Sequence, residues 1–410
     1  MANKRKIIND PVFGFINIPE GILYDIVHHP IFQRLTRIKQ MGLSSVVYPG
    51  AQHTRFQHSL GAFHLTSETL LQLAAKGNEI LPDETEAVQI AILLHDIGHG
   101  PFSHLFENTL ITQITHEDIS LMLMERMNRE MNGKITTAIQ IFKDEYPKRF
   151  LHQLVSGQLD MDRMDYLRRD SFYTGVIEGN IGSARIIKML NVQDDRLVVE
   201  SKGIYSIENF LTTRRLMYWQ VYFHKTSVAY ERMLIHALLR AKELVSKGVE
   251  LFASPALRFF LCHSVDREEF YNDPDCLENF IQLDDNDIWT ALKVWAACSD
   301  KILATLSAGI INRHIFKVEV SPTPPGKEYR KKLTKHIRTE LDITDSEANR
   351  YFISVFRIEK NMYNYADEGI DIIFNDGTIK NIAEASDMLN ISLLSKKIKK
   401  YYICYYRSHG

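Results

Sequence analysis

LLHDIGHGPFSH, from Leu93 to His104, is the most informative stretch of this chain. An apolar helical pattern leads into the adjacent pair His95–Asp96 and ends at the glycines that follow. An imidazole nitrogen beside a carboxylate oxygen suits one Mn, Fe, Ni, Co or Zn ion and also accepts Mg. His99 follows His95 by four residues and shares its face if the helix continues that far. The pair therefore predicts a divalent-metal centre at a helix end.

Two further ligands are needed to complete such a centre. Seven of the 16 histidines fall within residues 53–116, and His58, in HTRFQHSLG, stands at the start of an apolar helix. The segment QLDMDRMDYLRRD adds Asp160, Asp162 and Asp165, each of which is either a metal ligand or a helix N-cap. The spacing does not choose between Asp160 and Asp162.

Two sets of side chains recur at helical spacing and predict a substrate face. The first repeats every four residues: Asp162, Tyr166 and Asp170. The second forms one stripe on a helix predicted over about 205–240: Arg214, Tyr218, Tyr222 and Lys225. Cations at both ends with tyrosines between them suit a phosphate chain and a sugar. The alternative is an ordinary amphipathic helix whose tyrosines pack in the core.

The remaining pattern predicts a mainly α fold with a small α+β region at the C-terminus. Residues 1–20 can hold a strand or two, and helical periodicity dominates from about 21 to 310. VSPTPPG, from Val320 to Gly326, is the clearest linker signal. IDIIFNDGTIKNI predicts two strands around an Asp376–Gly377 turn. We therefore expect a catalytic core over 1–310, with its metal motifs at about 50–175, and a C-terminal region over 311–410 that could serve oligomerisation.

Composition narrows the class of protein. The formal net charge of -2 gives no general attraction to nucleic acid or to an anionic membrane. The four cysteines are widely spaced, which predicts reduced thiols in a cytoplasmic protein. We expect neither a signal peptide nor a membrane span, because the apolar runs are too short.

Several motifs together resemble one family. His58, His95–Asp96 and Asp162 resemble the H…HD…D signature of the HD superfamily. IFQRLTRIKQMG, YPGAQHTRFQHSLG, THED and DMDRMDYLRRD resemble its dNTP triphosphohydrolase branch, which includes the SAM- and HD-domain-containing dNTPase. The resemblance spans about residues 5 to 240, and IIFNDGTIKNIAEAS is similar to the C-terminal region of that branch. It implies an HD-domain helical core without a SAM domain, and a metal held by His58, His95, Asp96 and Asp162, with Asp160 set aside.

The resemblance also implies roles for other side chains. His99 and His104 would donate to phosphate oxygens, while His116 would be the general acid, oriented by Glu107. The phosphates would be held by four cations: Arg55, Arg163, Arg214 and Lys225. Gln40 and Asp170 would recognise the 3′-hydroxyl, and Tyr222 would lie under the sugar. Tyr166 and Met41 would lie beside these sugar and base contacts. Tyr218 stands where the best-known relative has histidine, so the contact there differs.

Partners follow from the same resemblance. It implies a homo-oligomer with a nucleotide activator bound between subunits, and Lys6 and Gln33 fit that allosteric pocket. His28 stands where the relative has an acidic residue that reads guanine, and Thr36 where it has arginine. These two departures argue against a guanine-specific activator site.

The expected reaction is metal-dependent hydrolysis of a dNTP to a deoxynucleoside and inorganic triphosphate. One alternative is an HD-domain phosphatase or phosphodiesterase acting on nucleoside monophosphates or other phosphate esters. It keeps the metal site but has no need of Arg163, Arg214 and Lys225 together. Another alternative is a non-catalytic binder of nucleotides or single-stranded nucleic acid, which does not explain a full ligand set with a general acid. Base preference, the physiological metal and the oligomeric order stay open.

Overall fold

The computed structural model describes residues 6–102, 104–107, 109–360, 369–387 and 398–408. Helices dominate, as the sequence predicts, and those of the first 200 residues are α1 Ile22–His28, α2 Pro30–Gln33, α3 Arg55–Ala75, α4 Pro82–Leu94, α5 His104–Glu107, α6 His116–Glu130, α7 Thr136–Phe142, α8 Arg149–Val155, α9 Met161–Thr174 and α10 Ser183–Met189. The later helices are α11 Ile204–Met217, α12 Lys225–Ser246, α13 Pro255–Cys262, α14 Arg267–Asn272, α15 Pro274–Gln282, α16 Asp285–Trp295, α17 Lys301–Ile311, α18 Lys327–Leu341, α19 Asp345–Tyr351 and α20 Ile382–Ala385.

Strands form three small sheets around this helical core. Their bounds are β1 Lys6–Asp10, β2 Gly14–Ile18, β3 Leu190–Gln193, β4 Arg196–Glu200, β5 Lys317–Ser321, β6 Ile353–Lys360, β7 Asp371–Ile373, β8 Ile379–Asn381 and β9 Ile398–Tyr405. β1 and β2 form an antiparallel hairpin, the second sheet has the order β3-β4-β7-β8, and the third has the order β5-β9-β6. The mainly α class with small C-terminal sheets is confirmed.

Three helices form the centre of the core, and they carry the metal motifs. α4 enters the core with its last five residues, Ile90 to Leu94, almost fully buried. α3 packs against both α4 and α9. Gly61 on α3 permits this packing, because a Cβ there would lie 1.9 Å from Asp165 Oδ1 and 2.1 Å from Arg169 Nη2. The first turns of α3 and α9 and the end of α4 therefore meet.

Several local predictions need correction. The chain from 190 to 200 is a β3–β4 hairpin, although the periodicity indicated helix there. Val320 and Ser321 belong to β5, so the predicted linker is only the loop that follows that strand. The Asp376–Gly377 turn is confirmed between β7 and β8, with Gly377 at φ +84°.

The C-terminal region contributes to a sheet of the core. β7 pairs in parallel with β4, and Val199 faces Ile372 across the pair. The boundary near residue 310 stays a prediction. The four cysteines are not joined by disulfides. In the parts of the chain that the structure describes, every helix is too short or too polar to span a bilayer.

Candidate active site

Four side chains from three elements converge where α3, α4 and α9 meet. His58 lies on the first turn of α3, His95 and Asp96 directly follow α4, and Asp162 lies on the first turn of α9. His58 Nε2 is 3.3 Å from His95 Nε2 and 3.0 Å from Asp162 Oδ1. Asp96 Oδ1 is 3.4 Å from His95 Nε2, and its Oδ2 is 3.6 Å from His58 Nε2. The ligand atoms of His58, His95 and Asp162 thus lie within 4.8 Å of one another, and Asp96 lies beside both histidines.

The hydrogen bonds behind the two histidines show that this set fits a metal ion. His58 Nδ1 lies 2.7 Å from Asp165 Oδ2, and His95 Nδ1 lies 2.6 Å from the Ile92 carbonyl oxygen. Both partners are acceptors, so each Nδ1 carries a proton and each Nε2 is the atom left to face a metal ion. The carboxylates and imidazole nitrogens that meet here need positive charge between them, which either a bound metal ion or protonated rings can supply. The donors suit a divalent transition metal or Mg.

The ionisation of these groups reflects the same need for positive charge. Burial opposes protonation of His58, but hydrogen bonds to Asp162 and Asp165 outweigh it and raise its pKa to about 10. Burial also opposes the Asp162 carboxylate, but its hydrogen bonds to His58 and His95 hold its pKa well below the usual value. The pocket therefore stabilises a cation at the place where the four donors meet.

A buried ionic chain fixes the orientation of His58. Asp165 accepts from Arg169, with Nε 2.9 Å from Oδ2, and Arg169 Nη1 lies 2.7 Å from Asp10 Oδ2. The side chains of Arg169 and Asp165 are fully buried, and that of Asp10 is nearly so. Asp10 also accepts from the backbone nitrogens of Val12 and Phe13. The β1–β2 hairpin is thus connected to the imidazole of His58.

Asp160 and Asp162 have different positions. Asp160 is the N-cap of α9: its Oδ1 accepts from Arg163 N at 2.7 Å, and its carboxylate also pairs with the Arg163 guanidinium. Its other oxygen accepts from Gly157 N at 2.9 Å. Asp162 faces the histidines instead. The structure therefore separates two aspartates that spacing alone did not.

α6 lies close to the metal motif because of one glycine. A Cβ on Gly98 would lie 2.1 Å from the His116 carbonyl oxygen and 2.3 Å from Ser120 N. Ser120 Oγ accepts from Gly98 N and donates to the carbonyl oxygen of His95. These contacts hold the first residue of α6, His116, beside the motif.

The two predicted catalytic histidines that the structure describes stack on each other. The rings of His99 and His116 lie 3.9 Å apart at 19°. The condition for His95 and His99 to share a helical face is not met, because α4 ends at Leu94 and turns follow. His99 Nε2 nevertheless lies 3.3 Å from Asp96 Oδ1. The side chain of His104 lies outside the described residues.

Glu107 and His116 form the expected pair. His116 Nδ1 is 3.2 Å from Glu107 Oε1, and Nε2 is 3.2 Å from Glu117 Oε1. Burial lowers the pKa of His116, but the hydrogen bond to Glu107 outweighs it and leaves that pKa raised. For His99, burial and then the charge of Arg55 hold the pKa well below its usual value. The pKa values of the two stacked rings are therefore shifted in opposite directions, and His116 holds a proton more readily than His99.

Three arginines surround the metal motif. Arg55 pairs with Asp96, and its side chain is almost fully buried. Arg163 Nη1 donates to the Gly157 carbonyl oxygen at 2.6 Å, and Arg214 Nη1 donates to Gln158 Oε1 at 3.1 Å. Gly157 and Gln158 are neighbours in the loop before α9, so Arg163 and Arg214 lie on the same side of the site.

Aromatic rings lead away from the metal ligands. Tyr166 lies 6.5 Å from the His58 ring and 6.1 Å from the Tyr222 ring, and Tyr222 lies 5.2 Å from Tyr218. Tyr222 donates to Asp170 Oδ2 at 2.7 Å. The spacing of Asp162, Tyr166 and Asp170 along α9 thus produces the predicted face.

The predicted single helix over 205–240 is wrong. α11 ends at Met217, a π-helical turn spans Tyr218–Tyr222, and α12 begins at Lys225 with His224 as its N-cap. The wider turn directs Tyr222 toward α9. Lys225 is exposed at the first position of a new helix, so the four residues do not share one helical stripe.

The other candidate residues lie on the chain before α3. Met41 is buried, and Gln40 N donates to the His53 carbonyl oxygen at 3.0 Å. Lys6 Nζ lies 2.7 Å from His28 Nε2 at the base of the hairpin, and Gln33 Nε2 donates to the Val27 carbonyl oxygen. Lys6 and Gln33 thus both contact α1, and an allosteric role for them stays a prediction.

Sequence reasoning missed three residues of the site. His53 Nε2 lies 2.7 Å from Asp170 Oδ1, and its ring stacks on Tyr173 at 4.4 Å. Arg169 and Asp10 complete the chain behind His58. The i, i+4 spacing of Asp165 and Arg169 was a usable signal for an ion pair, whereas the contacts to His53 and Asp10 join distant parts of the chain.

The fold and site are those of a metal-binding phosphohydrolase, and comparisons with known proteins agree. A family model described as HD domain matches residues 55–170, and one described as HD associated region matches 181–252. A crystal structure of a phosphohydrolase from Bacteroides thetaiotaomicron VPI-5482 has 76% identity and a TM-score of 0.96, and the match covers 98% of this chain and all of that one. The chain belongs to the HD-domain phosphohydrolases.

More distant relatives carry a more specific name. The deoxynucleoside triphosphate triphosphohydrolase SAMHD1 of Homo sapiens is 29% identical over 66% of this chain. Its homolog in Dictyostelium discoideum is 32% identical over 60%. The matches cover 49% and 51% of those two proteins. This chain thus spans about half the length of these relatives.

Proposed function

We propose that this protein hydrolyses deoxynucleoside triphosphates to a deoxynucleoside and inorganic triphosphate. The main support is a series of adjacent side chains that leads from the metal ligands through Tyr166 to the hydrogen-bonded pair Asp170 and Tyr222. Arg163 and Arg214 lie beside this series. The two arginines could bind a phosphate chain, and the Asp170–Tyr222 pair at the far end could contact a sugar. The named activity of the SAMHD1 relatives supports the same substrate class.

His58, His95, Asp96 and Asp162 would hold the divalent ion. When bound, that ion would lower the pKa of a water molecule and polarise a phosphate oxygen. Hydrolysis joins the water oxygen to the α-phosphorus and breaks the bond from that phosphorus to the 5′-oxygen. Arg55, Arg163 and Arg214 would hold the triphosphate, which needs positioning and charge neutralisation more than covalent chemistry.

The departing 5′-oxygen needs a proton, and His116 is placed to supply it. Its Nδ1 is engaged by Glu107, so Nε2, which lies 3.2 Å from the exposed carboxylate of Glu117, is the atom that would donate. Burial opposes protonation of His116, but the hydrogen bond to Glu107 outweighs it and raises the pKa of the ring, which favours the protonated acid. His99 and His104 would donate to phosphate oxygens. Glu107 would thus orient His116 and favour its protonated form.

The sugar end would select deoxyribose. Asp170 accepts from both Tyr222 and His53, which fixes its carboxylate where a 3′-hydroxyl could donate to it. Tyr222, packed between Tyr166 and Tyr218, would occupy the space of a 2′-hydroxyl. Gln40 and Met41 would complete the contacts to the sugar and base.

The test is an anion-exchange assay of each dNTP and NTP with Mn or Mg, singly and in mixtures. Deoxynucleoside and triphosphate as products support the proposal. Turnover only in mixtures would support the activator role of Lys6 and Gln33. Release of orthophosphate, or turnover of monophosphates alone, would make the protein an HD phosphatase of another specificity. The Asp162→Asn variant is the matched control for metal-dependent turnover.

A further inference from the structure

A basic groove lies between α18 and α19, on helices that contribute none of the site residues described above. It has a volume of about 680 Å³. Five of its lining side chains are cations and one is a carboxylate: Lys327, Arg330, Lys331, Lys335, Arg338 and Asp345. Thr334 and Asn349 also line it and are hydrogen-bonded to each other at 2.9 Å.

The charge of this groove is not balanced by the protein. Lys331 pairs with Glu328 at 2.9 Å, and Arg338 lies 3.6 Å from Asp345. Within residues 6–102, 104–107, 109–360, 369–387 and 398–408, no carboxylate forms an ion pair with Lys327, Arg330 or Lys335. Like charges that share one concavity repel, so an anion in the groove would relieve a cost that the fold otherwise bears.

The arrangement of the cations indicates an extended anion. Lys327, Lys331, Lys335 and Arg338 follow one face of α18 at helical spacing, over about 16 Å of helix axis. A single phosphate group would contact only part of this stripe. A chain of phosphates could contact all of it, and a flexible single strand can adapt to the stripe, whereas a duplex is stiff over about 150 base pairs.

The groove offers phosphate contacts and no stacking platform. None of the eight residues that line it is aromatic. Tyr329, also on α18, is engaged by Glu319 at 3.0 Å and by Tyr405 at 3.2 Å. Recognition there would depend on the backbone phosphates and not on the bases.

We propose that the α18–α19 groove binds the phosphate backbone of single-stranded nucleic acid, independently of base sequence and of the catalytic site. The net charge of -2 predicts no such attraction for the chain as a whole, so the binding is a local property of α18. This inference does not rest on the hydrolytic activity.

Fluorescence anisotropy with labelled 20-nucleotide oligo-dT and oligo-dA, over a series of salt concentrations, tests it. We expect equal affinity for both, with log Kobs falling against log salt at a slope of about 3, since each neutralised phosphate contributes about 0.7. The triple variant Lys327→Gln, Arg330→Gln, Lys335→Gln should bind at least about tenfold more weakly, with a slope lower by about 2.

The matched control removes three exposed lysines elsewhere: Lys188→Gln, Lys202→Gln and Lys293→Gln. It should bind as the wild type does, and both variants should keep wild-type hydrolysis. The inference is overturned if the groove variant and the wild type bind alike, if the wild type binds no oligonucleotide, or if a duplex of equal length binds as tightly as the single strand.

Discussion

Asp165 Oδ2 lies 2.7 Å from His58 Nδ1, and both side chains are fully buried. The carboxylate fixes the proton on Nδ1 and leaves Nε2 free to face Asp162 and His95. Asp165 is itself held by Arg169, so one buried charge pair controls the direction of a proposed metal ligand.

Replacing Asp165 should weaken metal binding without removing a proposed ligand. Outer partners of metal-bound histidines typically contribute about 10- to 100-fold in affinity. We expect Asp165→Asn to raise the Kd for Mn²⁺ by that factor in isothermal titration calorimetry. Asp194→Asn, in the exposed β3–β4 turn, is the control and should leave Kd unchanged. Equal Kd values for Asp165→Asn and the wild type would refute the orienting role.

The two neighbouring aspartates of α9 should behave differently. Asp162→Asn should abolish Mn²⁺ binding, because it removes a carboxylate that faces both histidines. Asp160→Asn should retain it, since asparagine also caps helices and the lost partner is Arg163. Calorimetry on both variants checks this, and metal binding by Asp162→Asn would contradict the assigned ligand set.

The pH dependence of turnover should reveal the Glu107–His116 pair. Glu107 raises the pKa of His116, so the protonated acid persists to higher pH and activity falls as pH rises through that pKa. Glu107→Gln removes the charge, and the alkaline limb of kcat/KM should shift to lower pH. Glu125→Gln, an exposed change on α6, the helix that carries His116, should leave the profile in place. An unshifted limb in Glu107→Gln would exclude His116 as the acid.

Gly98 should be intolerant of a side chain. A Cβ 2.1 Å from the His116 carbonyl oxygen would push α6 away from the metal motif. We expect Gly98→Ala to lower the free energy of unfolding by about 1–3 kcal/mol and to reduce kcat. Gly182→Ala, where no atom lies within 4 Å of the added Cβ, is the matched control. Chemical denaturation and steady-state kinetics measure both effects, and equal values for the two variants would contradict the packing argument.

Tyr222 should determine whether the site accepts deoxyribose or ribose. Tyr222→Ala opens the space proposed to exclude a 2′-hydroxyl, so the ratio of kcat/KM for dNTP over NTP should fall at least about tenfold. Tyr222→Phe retains the ring and should largely retain the ratio, although it loses the hydrogen bond to Asp170. An unchanged ratio in Tyr222→Ala would place sugar selection elsewhere.

Local patterns predicted the parts of the site that lie on regular helices. The four-residue spacing of Asp162, Tyr166 and Asp170 produced one face because α9 is continuous. The same reasoning failed for Tyr222 and Lys225, because a π-helical turn and the His224 cap interrupt the helix without a Gly or Pro to indicate them.

Long-range contacts could not be predicted from spacing. Arg169 and Asp10 are 159 positions apart, and His53 and Asp170 are 117 apart. Each pair forms only after α3, α9 and the hairpin pack together, so tertiary burial creates these contacts. Spacing also left open whether Asp160 or Asp162 faces the histidines, and only the structure shows that Asp160 caps α9.

The most direct test of the central claim is hydrolysis of a dNTP in ¹⁸O-labelled water, with products analysed by mass spectrometry. Attack at the α-phosphorus predicts one labelled oxygen in inorganic triphosphate and an unlabelled deoxynucleoside. Label in orthophosphate, or in the 5′-hydroxyl of the deoxynucleoside, would contradict the proposed function.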